Sequence, residues 1–182
     1  HVDAPRERAR LRVRIADLRT KAHLERHELH QAFEHFLEAL ALLDKADDPE
    51  ASCRVWLRGG SAFRMVGHGA EARRWYQRVL DQPDASEAVR TNALTGIAST
   101  WRAERQYEEA VVAFQALLAM SLPADPRTLG SILINAASCW WQVDRADEAE
   151  QLLARVRDDA AIMAHDDLRL WTHAVGTWVA AR

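Results

Sequence analysis

His23, His27 and His30 stand four and three residues apart. On one helix that spacing would present imidazoles to a metal ion. A turn expected near His27 breaks the shared face, and no helix-borne acid completes the set. His27-Glu28-Leu29-His30 is not the His-Glu-x-x-His of metalloproteases. Gly59-Gly60 and Gly67-His68-Gly69 follow no strand and precede no Gly-Lys-Ser/Thr, so they are crossing and turn glycines and not phosphate loops. Arg6, Arg8, Arg10, Arg12 and Arg14, interrupted by Glu7, could touch phosphates. The favoured reading makes them the wet side of a helix with Leu11 and Ile15 facing inward. There is no nucleophile–base pair, no paired carboxylates beyond helix-surface acids and no cofactor fingerprint. The chain is therefore expected to be no enzyme and to hold no metal or cofactor, although groups assembled from distant hairpins would escape a linear reading.

The elements that must position any site are helices. Small residues recur at Gly60, Ala98, Ala137 and Gly176, spaced 38, 39 and 39. A second set, Ala32, Ala72, Ala110 and Ala149, is spaced 40, 38 and 39. A fixed period of this size marks a repeat array. Apolar stripes at helical spacing lie between them: Leu11, Ile15, Leu18 and Ala22; Leu29 to Leu43; Ala110 to Leu118; Ala149 to Val156. Asp3, Asp48-Pro49, Asp84 with Glu87, Asp125-Pro126 and Asp166-Asp167 mark helix starts. About nine helices are expected, as hairpins over 5–45, 49–82, 85–120 and 126–158 plus a closing helix over 167–182. Their turns fall near His27, at Gly67-His68-Gly69, at Glu104-Arg105-Gln106 and at Val143-Asp144-Arg145. The paired small residues would let antiparallel helices cross closely, Gly60 facing Ala72, Ala98 facing Ala110 and Ala137 facing Ala149.

Composition agrees with a soluble helical array. The 182 residues are 48% hydrophobic and 28% charged, with only 7 Gly and 5 Pro. The formal net charge of −3 gives no general reason to expect nucleic acid or an anionic membrane. Cys53 and Cys139 form no CxxC pair and read as free thiols in a reducing, cytoplasmic setting. No apolar run approaches the roughly 20 residues that cross a bilayer, and no signal peptide is visible. The chain begins at His1, and its last segment carries Gly176 in phase with the earlier small residues. It is expected either to end on a cap or, the favoured reading, to be a piece of a longer array. Leu170, Val175, Trp178 and Val179 would give that last helix an uncovered apolar face through which the chain could form a homodimer.

Residues 53–157 resemble three successive tetratricopeptide repeats, and 13–43 a degenerate fourth with Thr20 at the first small position. The resemblance rests on Trp56, Gly60, Phe63, Gly67, Ala72, Tyr76 and Leu80, then Tyr107, Ala110 and Phe114. The period of 38–40 exceeds the family's usual value of about 34. It is similar to long-helix variants in bacterial signal-responsive regulators and membrane-fusion adaptors, with a HEAT-like array as the alternative. The resemblance implies an all-α, right-handed superhelical stack over 1–182. It also implies that first helices line a concave face that binds a protein segment. Arg14, Lys21, Arg54, Ser61, Arg64, Asn92, Ser99, Arg102, Ser138 and Trp141 would contact that partner. Asp17, Leu24, Leu57, Thr95, Ser131 and Ile134 share the face. Its cations outnumber its acids and suit a carboxylate-bearing segment. The family's carboxylate clamp does not carry over, because Asp17 and Lys21 stand where Lys and Asn would be expected. Trp141 is either a binding anchor or an indole packed near Ile134 or Trp171. Two other functions stay open: an effector- or inhibitor-sensing domain of a larger bacterial signalling or transcription-control protein, and an enzyme or its helical accessory domain.

Overall fold

A computed structural model describes residues 3–120 and 123–180. Residues 121–122 of the expected connection and 181–182 of the expected last helix lie outside the described residues. The helices are α1 (Ala4–Glu25), α2 (Leu29–Leu40), α3 (Leu43–Ala46), α4 (Pro49–Met65), α5 (Gly69–Leu80) and α6 (Glu87–Ala103). They continue as α7 (Tyr107–Leu118), α8 (Pro126–Gln142), α9 (Ala146–Asp158), α10 (Ala160–Met163) and α11 (Asp166–Ala180). The described residues contain no strand. Among the described residues eleven helices stand where about nine were expected, because α3 and α10 are single turns wound in the connections. Asp159 begins one of these turns by accepting from the amides of Ala161 and Ile162 at 2.9 and 3.2 Å. The chain divides into two compact units, His1–Thr100 and Trp101–Arg182.

Local chemistry sets the helix ends. Asp48 accepts from the Ala51 amide at 3.0 Å, and Asp125 from the Thr128 amide at 2.8 Å. Each is followed by Pro at the first helical position, where no N–H is missed. Hydrogen bonds from Thr128, side chain first and backbone second, hold the Asp125 carboxyl below its ordinary range. Two expected caps are corrected. Asp3 makes no side-chain cap bond. At α6, Ser86 and not Asp84 accepts from the Val89 amide, at 3.4 Å. The expected turns carry one left-handed residue each: His27 (φ 59°), Gly67 (φ 81°), Arg105 (φ 61°) and Asp144 (φ 61°).

In the first unit, α1 packs on α2 and α4 on α5. Phe36, Val13, Ala16, Ala39 and Val55 form one core cluster, with Trp56, Phe63 and Trp75 packed against it. Tyr76, Ala72, Val79 and Ala93 form another. Phe63 meets Phe33 edge-on at 5.1 Å, and Trp75 meets Phe36 in the same way at 5.2 Å. The loop between α5 and α6 is gathered by Arg90, whose guanidinium donates to the carbonyls of Leu80, Gln82, Pro83 and Ala85.

The orientation of α1 overturns an expectation. Leu11, Ile15 and Leu18 are 53, 50 and 56% exposed, while Ala9, Val13, Ala16, Thr20 and Leu24 are buried. The inward face is built from mostly small side chains, which let α1 lie close against its neighbours.

In the second unit, α8 packs on α7, α9 and α11. Ile132, Leu133, Ile134, Phe114, Leu117, Leu153 and Ile162 are fully buried there. The expected bare face of the last helix is also corrected. Val175 and Val179 are buried, leaving Leu170 and Trp178 as its large exposed apolar residues. Trp178 is half-exposed, its ring centroid 6.1 Å from that of Trp141.

Candidate functional site

The strongest site begins with a tyrosine. Tyr76 on α5 is 2% exposed and lies against α4 and α6. A Cβ placed on Gly60 would come within 2.5 Å of its ring, and one on Gly96 would overlap the ring at Cζ. The two glycines therefore open α4 and α6 to the ring. The atoms nearest to a Cβ on Gly60 belong to Tyr76, one turn beyond Ala72 on α5. The ring ends at the floor of a groove, where Tyr76 Oη lies 3.3 Å from Ser61 Oγ.

The groove has a volume of about 290 Å³ and is lined by Leu57, Arg58, Ser61, Arg64, Tyr76, Asn92, Thr95, Gly96 and Ser99. Its lining carries two guanidinium groups, three aliphatic hydroxyls and one carboxamide, and no carboxylate. Successive turns of α4 supply Leu57, Ser61 and Arg64, and α6 supplies Asn92, Thr95 and Ser99 by the same spacing. Thr95 has turned its hydroxyl to the Thr91 carbonyl at 2.8 Å.

The two arginines differ. Arg58 Nε approaches Asp17 Oδ1 at 3.3 Å, with the Asp17 side chain only 7% exposed. Neither atom has an aligned hydrogen bond among the described residues. The contact is a charge pair that holds Arg58 along the wall. Arg64 is exposed and has no ion pair among the described residues. Its donors remain open to a ligand.

Ser61, Arg64, Asn92 and Ser99 are thus the predicted contacts brought together. Arg14 is exposed on α1, Lys21 pairs with Glu25 at 3.7 Å, and Arg54 pairs with Glu50 one turn away. In the second unit, Arg102 lies close enough to Cys139 to act on its thiol, and Ser138 donates to the Asn135 carbonyl at 2.8 Å. Trp141 is half-buried beside Trp178. Asp17 is buried and so does not face a partner. Arg58, Tyr76 and Gly96 were missed as groove residues. Gly96 carried a signal, because a glycine inside a helix costs about 1 kcal/mol against alanine unless something needs the space.

Other chemistry is absorbed locally. His23 Nδ1 lies 2.6 Å from Glu28 Oε2 and its ring stacks on His35 at 5.3 Å. His30 is exposed beside Glu34, and His27 is the turn residue. The three histidines do not converge. Among the described residues no group of three or more His, Cys, Asp or Glu gathers for a metal. Cys53 and Cys139 are free and buried. Burial raises both thiols, Cys139 to about 11, with Arg102 opposing that rise. Among the described residues no helix is long and apolar enough to cross a membrane.

No family model, curated protein or solved structure matches this chain.

Proposed function

We propose that this chain is a non-catalytic interaction module of tetratricopeptide type, a right-handed stack of helical hairpins that works in a reducing, cytoplasmic setting. Its groove receives an acidic segment of a partner protein. The left-handed residues at 27, 67, 105 and 144 support the array, because they restart the second helix of a hairpin at an almost constant interval. The groove itself carries the functional reading. Open Arg64, anchored Arg58 and three hydroxyls line it with no acid among them. A carboxylate can take a charge-assisted pair from Arg64 and further bonds from Ser61, Asn92 or Ser99. The volume, near the lower end of the roughly 300–1,000 Å³ of small-ligand pockets, favours a second reading as an effector-sensing regulatory domain that binds a small acid.

Selection of random peptides displayed on phage tests the first reading. The expected winners carry clustered Asp or Glu and fail on Arg64→Glu protein of unchanged thermal midpoint. Enrichment of neutral or basic peptides, or winners indifferent to Arg64→Glu, would overturn it. Peptides failing while a small dicarboxylate raises the thermal midpoint of the wild type alone would select the sensor.

A further inference from the structure

The outward face of α1 combines two features the groove does not use. Leu11, Ile15 and Leu18 form an exposed ridge at i, i+4 and i+7. By helical phase Arg8 and Arg19 run along one side of that ridge and Arg14 along the other. The remaining arginines of the N-terminal run are engaged: Arg6 with Asp47, Arg10 with the Ala46 and Asp47 carbonyls, and Arg12 with Glu38 at 3.5 Å. Among the described residues Arg8, Arg14 and Arg19 have no ion pair. The helix thus spends its other arginines on its own unit and leaves three around an aliphatic ridge.

We propose that this face docks an amphipathic helix of a partner protein, one that carries carboxylates on both sides of an apolar stripe. Three aliphatic knobs at helical spacing fit the groove between the side-chain rows of another helix. Three unpaired guanidinium groups on the two flanks select acids beside that stripe. A second copy is a poor match. Packing α1 on α1 sets arginine against arginine, and on α11 Asp166 and Asp167 are taken by Arg169 and Arg127. The ridge also carries no aromatic residue to hold it at a bilayer interface, and Lys21, next in phase to Arg14, is paired with Glu25.

The test uses a synthetic helix with leucines at i, i+4 and i+7 flanked by glutamates. Its lysine-flanked twin and phosphatidylglycerol vesicles are the comparison probes. The acidic helix should bind, and bind at least tenfold more weakly to Leu11→Gln/Ile15→Gln/Leu18→Gln protein. A similar loss is expected for Arg8→Gln/Arg14→Gln/Arg19→Gln, which leaves the ridge intact. All six side chains lie on the outer face, and a thermal melt of each variant checks that the fold survives. Arg64→Glu should leave this binding unchanged, which separates it from the groove. Equal binding of the lysine-flanked helix would overturn the proposal. So would vesicle binding without peptide binding, or a wild-type dimer that the ridge variant abolishes.

Discussion

The two units put different chemistry at corresponding positions of the repeat. On α4 the small-residue register gives Leu57, Gly60, Ser61 and Arg64; on α8 it gives Ile134, Ala137, Ser138 and Trp141. Tyr76 in the first unit corresponds to Leu153 in the second. The first unit seats a large ring in the space two glycines leave, and a hydroxyl-lined groove with a free guanidinium lies over it. The second has alanine and leucine at the crossing, both fully buried, and pairs Trp141 with Trp178. One helical arrangement thus accommodates a polar, arginine-bearing face and one with an indole in the arginine's place. The choice is made by a few side chains, with the helices themselves alike.

The sharpest way to break this comparison is to remove the ring. Tyr76→Ala should cost about 3–5 kcal/mol in chemical denaturation, as truncation of a buried aromatic does. Gly96→Ala alone should cost about 1–3 kcal/mol by overpacking. In the Tyr76→Ala background the same change should become neutral or stabilising, since alanine favours the helix by about 1 kcal/mol. Equal cost in both backgrounds would show that Gly96 is not there to admit the ring.

A smaller effect separates the units by pH. Folding raises the Cys139 thiol from 9.0 to about 11, so the folded chain holds that proton more tightly than the unfolded chain. The stability tied to it is complete below pH 9 and lost as the pH rises towards 11. The loss amounts to about 2–3 kcal/mol at 1.36 kcal/mol per pKa unit. Denaturation curves between pH 8 and 11 should show this fall in the wild type and a shallower one in Cys139→Ala, where only the raised thiol of Cys53 remains.

The smallest effect belongs to the turns. Arg105 holds φ at 61°, a region that disfavours side chains by roughly 1–2 kcal/mol. Arg105→Gly should therefore raise the thermal midpoint slightly, less the entropy glycine adds to the unfolded chain. A lowered midpoint would mean that the Arg105 side chain supports the turn.

The turns were legible because they follow a local period, and six groove residues, Leu57, Ser61, Arg64, Asn92, Thr95 and Ser99, through the resemblance that puts first helices on one face. The facing of α1 was not. A hydrophobic pattern favours large apolar residues such as Leu11 and Ile15 for the core, whereas close helix approach favours Ala9, Val13, Ala16 and Thr20. Arg58 was hidden for another reason, since its ion pair joins residues 41 positions apart in sequence. The single-turn helices α3 and α10 span four residues each, too short to show a period.

The most direct measurement is calorimetric titration of a selected acidic peptide into the wild type, Arg64→Ala and Trp141→Ala. A hydrogen bond to a charged group contributes about 1.5–3 kcal/mol, so Arg64→Ala should weaken binding by roughly 10- to 100-fold. Trp141→Ala, in the second unit, should leave the affinity unchanged. Loss with Trp141→Ala and none with Arg64→Ala would place the ligand in the second unit and contradict the account.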